Sequence, residues 1–506
     1  MRQEQLSSSV SSIDYDRTVL QNVHPPDWRN PEPVDRYNLV IVGAGPGGML
    51  TAVNAVKAGA KVALIERNLV GGACFNIGCI PSKAIIRTAR LYAEMRNAEN
   101  FGAQVPTGIS VDFPTAMERM RRVRARISRR ISAQSLSAMG IDVYFGEAQF
   151  AGREAVEVEG KTLRFKRALV TSGARPALPA VPGIAAAGYL TNESVFDLTE
   201  CPRRLLVLGG GPLGCELAQA FSRLGSQVSI VQNDPMFLGN EERDAAQILS
   251  DALARDGIDI HLNTETVNVR TEGNEKLVDL VSDDRKFTLI VDEILVGIGS
   301  VPNVEGMNLE SAGVQYDAQA GIPINDYLQT TNPQIYAAGD VCSEHRFPHI
   351  EAAAANLVVH NALFRGRERL SALAIPWCTY TDPEIAHVGL YVKEARAKGI
   401  PVKTFTVMMH DVDRAITDGE DEGFVKIHVR EGTDKILGAT VAASHGGEMI
   451  SEISLAMSAG IGLRALARVN HPYPTQAQAI KMAADACLAT LRAPAREWLF
   501  KRWLAW

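Results

Sequence analysis

Residues 37–48 read YNLVIVGAGPGG, a short apolar run that ends directly in Gly43, Gly45 and Gly48. A helical stretch follows (MLTAVNAVKAG), then a second apolar run, KVALIE, closing on Glu66. Strand, glycine turn, helix, strand and acid in that order make up a dinucleotide-binding fingerprint. The glycines permit the tight turn and let the backbone approach a pyrophosphate at the helix N-terminus. Glu66 stands 18 residues past Gly48, where an acid hydrogen-bonds a ribose. A bare GxGxxG is weak, and its flanking elements make this one specific.

The pattern recurs at 204–216, RLLVLGGGPLGCE, with Gly209, Gly211 and Gly214 after an apolar strand and before a helix. A second dinucleotide is expected there. Its second strand, QVSIVQNDP, ends in Gln232 rather than an acid. Glu or Asp would favour NAD, and a nearby Arg would favour NADP. Gln232 can bond a ribose hydroxyl without repelling a 2′-phosphate, so NADH and NADPH both stay open.

Between the two fingerprints, residues 71–83 read GGACFNIGCIPSK. Cys74 and Cys79 have four residues between them, and Lys83 follows closely. Thiols at that spacing can close a small disulfide ring. A helix is expected from Cys79 onward, with Pro81 in its first turn. The helix N-terminus and the Lys83 charge both favour a Cys79 thiolate. Taken alone, the pair reads equally well as two small buried residues.

Length and composition bound the answer. A chain of 506 residues is too long for one core and predicts two to four domains. Apolar content of 46% and charged content of 22% are those of a soluble globular protein. A net charge of -6, with no dominant Lys/Arg block, argues against nucleic acid. Seven scattered cysteines do not make a disulfide scaffold, and they suit a reducing, cytoplasmic setting with one catalytic pair. No apolar run reaches the roughly 18 residues of a membrane span, and the N-terminus has no apolar signal core. Residues 1–36, rich in Ser and Pro, are read as a flexible arm.

Further along, TSGARP (171–176) and GIGSVPN (297–303) each follow an apolar strand and mark crossings between domains. At 331–341, TNPQIYAAGDV ends a strand in Gly339-Asp340, where an acid suits a ribityl or ribose hydroxyl or serves as a helix cap. From about 371 the texture changes to mixed strands and helices with no nucleotide loop, the pattern of a separate α+β domain.

Together, GAGPGG with Glu66, GGACFNIGCIPSK, TSGARP, GGGPLGCE, GIGSVPN, YAAGD and YTDPEIAHVG resemble the pyridine nucleotide–disulfide oxidoreductases over about 37–490. Lipoamide dehydrogenase, glutathione reductase and mercuric reductase belong to that family. The resemblance implies an α/β fold with two Rossmann-like domains, for FAD and NAD(P), and a C-terminal α+β dimerisation domain. The partition it gives is 1–36 arm, 37–185 FAD domain, 186–301 NAD(P) domain, 302–370 second part of the FAD domain, 371–490 dimerisation domain and 491–506 tail. It implies FAD held by Gly43, Gly45, Gly48, Glu66, Lys83, Ala148, Gly173 and Asp340. NADPH or NADH would lie on Gly209, Gly211, Gly214, Gln232 and Gly299. Cys79 would face the flavin, Cys74 would be the exchanging thiol, and Lys83 would pair with Glu216. The partner of a homodimer would finish each site.

One motif departs from the family. In the disulfide reductases a His-Pro-Thr-x-x-Glu box supplies the acid–base His and its orienting Glu. Here 470–478 reads NHPYPTQAQ, which puts Tyr473 in place of the His and Gln478 in place of the Glu. Tyr, with an ordinary pKa near 10, is a poor base at neutral pH. A disulfide substrate needs a proton for its leaving thiolate, so the change counts against lipoamide or glutathione disulfide. His471 is the obvious substitute, and a structural role for it is the alternative. A Tyr here is similar to mercuric reductase, whose acceptor is a metal ion. Yet no CxxC metal-binding domain precedes the core, and the last cysteine, Cys487, is single.

The expected function is therefore electron transfer from NAD(P)H through FAD to a Cys74–Cys79 disulfide and on to a small acceptor such as Hg(II). A lipoamide dehydrogenase using His471 and a slow redox-sensing flavoprotein are the alternatives. No resident metal site is expected. The tail, APAREWLFKRWLAW, has apolar and basic residues spaced to rest on a membrane surface or pack on the dimer.

Overall fold

The computed structural model describes residues 14–105, 108–283, 285–342, 348–491 and Trp503, with the backbone alone for 348–352. A helix, α1 (Tyr15–Val23), precedes the first nucleotide unit of β1 (Tyr37–Val42), α2 (Pro46–Lys57) and β2 (Val62–Glu66). Two helices, α3 (Gly72–Ile77) and α4 (Cys79–Arg96), carry the two cysteines, and α5 (Phe113–Ser128) packs against α4. β3 (Ile141–Phe145) closes one edge of the sheet.

The parallel order β3, β2, β1, Lys161–Val170, with Ile335–Ala337 beside the last, is a doubly wound arrangement. β1 and β2 at its centre are buried on both faces, which is why they read as near-continuous apolar runs. The ligand crevice of such sheets lies at the carboxyl ends of the strands.

The glycine spacing is set by backbone contact. Gly43 has φ of +104°, and a Cβ there would lie 2.2 Å from the Thr171 carbonyl oxygen. A Cβ on Gly48 would lie 2.0 Å from the Gly43 carbonyl oxygen. Gly209 and Gly214 repeat this in the second unit, with the same φ of +104° at Gly209. That unit places Arg204–Leu208 between Gln227–Val231 and Glu293–Val296, all parallel, with Asp259–His261 at the edge.

The two segments read as crossings pair with each other. Ala174–Pro176 and Ser300–Pro302 form a two-stranded antiparallel ribbon. Beyond them, five antiparallel strands spanning Pro376–Ala443 carry the helices Gly446–Ser458 and Gln478–Leu491 over one core.

One expectation is corrected. Residues 14–36 are not a loose arm. Val19 and Val23 on α1 are buried against the first domain, and Asp16 pairs with Arg124 and Arg121 on α5. The Trp28 indole donates to Val143 O (3.1 Å), and the Asn30 side chain both donates to and accepts from the Phe145 backbone at 2.8 Å. Residues 1–13 lie outside the described residues. So does the tail, apart from Leu491 and an exposed Trp503. Among the described residues no helix is long and apolar enough to cross a membrane.

Candidate functional site

A cavity of about 740 Å³ opens at the carboxyl ends of β1 and β2. Gly43, Gly45, Glu66, Cys74, Cys79, Ala148, Gly173 and Asp340 all line it. The fold thus gathers eight sequence-predicted residues from six separate stretches of chain. Gly48 lies one turn into α2, where its missing Cβ lets the helix close on Gly43.

At one end, Glu66 Oε2 accepts from Ala44 N and Oε1 from Asn68 N, each at 2.8 Å. Burial raises its pKa, and these backbone donors work against that rise. The acid therefore braces the glycine turn and still presents acceptor lone pairs to the cavity. Gln232 repeats the brace in the second unit, with Oε1 accepting from Gly210 N at 2.8 Å. Its amide donates to Asp234 at 2.8 Å.

At the other end, the cysteine loop sits directly on the glycine turn. Gly71 N donates to Ala44 O (2.8 Å), and a Cβ on Gly72 would lie 2.8 Å from Gly45 Cα. Cys74 lies on α3, a short helix that sequence reading missed, and Cys79 is the first residue of α4. Both are in the thiol form. The Cys79 pKa is lowered, chiefly by its hydrogen bond with Cys74. Burial opposes this, the Lys83 charge assists, and Glu216 and Asp340 oppose. Burial pushes Cys201, Cys215, Cys378 and Cys487 the other way. Thiolate is the nucleophilic and metal-binding form.

Lys83 Nζ lies 2.7 Å from Glu216 Oε2 on the second fingerprint helix, Pro212–Arg223. Burial would lower the Lys83 pKa, but the Glu216 carboxylate overcomes it and the net shift is upward. Nζ also lies over the Tyr380 ring, 4.6 Å from its centroid.

The residues of the last domain are arranged otherwise. Tyr473 is 70% exposed and donates to Asp413 Oδ2 at 2.8 Å, which raises its pKa. His471 is held by Glu452, with Nε2 at 3.0 and 3.1 Å from the two carboxylate oxygens. Glu452 was missed because it lies 19 residues upstream, on the helix Gly446–Ser458. Gln478, at the family's Glu position, has a buried Oε1 with no hydrogen-bond partner among the described residues.

A family model described as pyridine nucleotide-disulphide oxidoreductase matches residues 37–356. The dimerisation domain of that family matches 375–484. The chain is 33% identical over 448 residues to a mercuric reductase of Staphylococcus aureus, covering 88% of this chain and 82% of that one. A dihydrolipoyl dehydrogenase of Thermus scotoductus is 32% identical over 462 residues, with 89% and 97% covered. Among solved structures, LpdA from Mycobacterium tuberculosis superposes with a TM-score of 0.81 at 28% identity, covering 90% of this chain and all of that one. A Cu(II) complex of the HOCl-induced flavoprotein disulfide reductase RclA from Escherichia coli gives 0.78 at 28% identity, with 88% and 98% covered.

Proposed function

Because the chain belongs to the pyridine nucleotide-disulphide oxidoreductases, we propose that it is a homodimeric enzyme using FAD and NAD(P)H to reduce a soft metal ion such as Hg(II) through Cys74 and Cys79. The cavity fits FAD: a glycine turn at the start of α2 for the pyrophosphate, Glu66 for the ribose, and the cysteine pair at the opposite end. When bound, FAD supplies the two-electron relay between nicotinamide and dithiol.

The chain's own residues do the rest. The start of α4 and Lys83 hold Cys79 toward its thiolate, and Glu216 fixes the Lys83 ammonium. Cys74, partly exposed beside it, is the thiol that meets the acceptor. Asp340 lines the same cavity, and its charge opposes Cys79 ionisation.

The observation that carries this reading is the placing of Cys74 and Cys79 together in the cavity, with Cys79 at the head of α4 and Lys83 paired to Glu216. A metal acceptor is favoured because Tyr473, with its raised pKa, is no donor–acceptor for a leaving thiolate near neutral pH. The relatives named mercuric reductase support the same acceptor class. Replacing Cys74 by Ser tests it. The variant is expected to bind FAD normally and lose NAD(P)H-driven Hg(II) reduction by more than about a hundredfold. Turnover retained in Cys74→Ser would exclude the dithiol.

A second reading rests on the His471–Glu452 pair, an acid–base couple from other positions than the family's box. It predicts dihydrolipoamide oxidation that collapses in His471→Ala, and no rate in the parent enzyme would remove it.

A further inference from the structure

The N-terminal strap, residues 14–36, touches the cavity at one side chain. His24 lines it beside Glu66, Arg67 and Asn68, the end that holds the ribose acid. Its Nδ1 donates to the Asn68 carbonyl oxygen. Its ring stacks on Phe145, with centroids 4.3 Å apart and planes 25° from parallel. Trp28 packs edge-on against the other reach of Phe145, at 5.8 Å and 83°.

The strap is tied to both walls of that end. Val70 N donates to Val23 O at 3.0 Å, which fixes the loop after β2. Trp28 and Asn30 bond the backbone of β3 at Val143 and Phe145, which fixes the edge strand leading to Gly146, Glu147 and Ala148 in the cavity lining. Covering that sheet edge also satisfies backbone groups that would otherwise need water. Ordering a segment of this length costs entropy on every residue. Part of its polar contacts goes to α5, where Asp16 meets Arg121 and Arg124, and part to the two chain segments that frame the cavity.

We propose that His24 is a cofactor-binding residue, and that the strap forms the outer wall of the adenosine end of the FAD site. The inference rests on the reading of the cavity as an FAD site. The chemistry fits an adenine. With Nδ1 donating to the Asn68 carbonyl, Nε2 is the one ring atom that can accept, the complement of an exocyclic amine. The stack on Phe145 fixes the ring without further ordering cost when the ligand arrives.

The test compares FAD with FMN, which lacks the adenosine. Flavin-free full-length chain, wild type and His24→Ala, is titrated with each, following quenching of flavin fluorescence. The expected result is an FAD Kd about five- to tenfold weaker in His24→Ala, with the FMN Kd unchanged. If His24→Ala is too unstable to purify, His24→Gln carries the same test, because it keeps a donor for Asn68 while removing the ring. Equal FAD affinities in variant and wild type would overturn the inference, as would equal weakening of FAD and FMN. A wild type that binds no FAD would overturn the flavin reading itself and this inference with it.

Discussion

Lys83 Nζ stands 2.7 Å from Glu216 Oε2, and this contact ties the redox helix of the first nucleotide unit to the fingerprint helix of the second. Glu216 Oε1 accepts from Tyr380 N at 2.8 Å, so one carboxylate joins three parts of the fold. The Cys79 thiol is tuned at that junction.

Lys83→Met removes a charge that lowers the Cys79 pKa and leaves Glu216 and Asp340 to raise it. The Cys79 titration is expected to move to higher pH. Alkylation of the reduced protein by iodoacetamide, followed against pH, reads this directly. An unchanged profile would mean that the Cys74 hydrogen bond and the helix N-terminus set the thiolate without Lys83.

Gln232 is the residue expected to weigh NADH against NADPH. Gln232→Glu keeps an acceptor for Gly210 N and places a negative charge where a 2′-phosphate would approach. Like-charge repulsion should lower kcat/KM for NADPH roughly tenfold or more relative to NADH. Steady-state rates with both coenzymes check it.

Tyr473 is expected to take no part in proton transfer. Its hydrogen bond to Asp413 raises its pKa above the ordinary value near 10, so it stays protonated from pH 6 to 9. Tyr473→Phe should leave the pH profile of metal-ion reduction unchanged over that range. A lost limb in the profile would assign Tyr473 an acid–base role.

Glu384 carries a pH dependence of stability. Burial raises its pKa from 4.5 to about 7, against a 2.8 Å hydrogen bond from Gly447 N. The folded chain keeps a proton that the unfolded chain has released. Its contribution to stability therefore falls as pH rises from 4.5 to about 7, and the full cost is present above that. Glu384→Gln, which cannot ionise, should be more stable than wild type at pH 8 by on the order of 1–3 kcal/mol, with no gain at pH 4.5. Thermal unfolding at the two pH values checks the sign.

Both nucleotide units were legible because their glycines answer to backbone contacts, Gly43 against Thr171 and Gly209 against Gly297, that no side chain can replace. The cysteine loop was legible for a similar reason, since its Gly72 presses on Gly45. The strap was misread because its order is tertiary. Asn30 and Trp28 find partners more than a hundred residues away on β3, and a Ser/Pro-rich composition carries no trace of them. Lys83–Glu216 entered only through the family resemblance, 133 residues apart. Glu452 was not legible because the carboxylate that reaches His471 comes from the helix Gly446–Ser458 and not from the position of Gln478 in the box.

Electrons from NAD(P)H are expected to arrive at Cys74 and Cys79. The most direct measurement is a count of titratable thiols after anaerobic addition of NADPH or NADH to oxidised holoenzyme, wild type against Cys74→Ser. A gain of two thiols is expected in the wild type and none in the variant. Full flavin bleaching with no thiol gained in the wild type would contradict it.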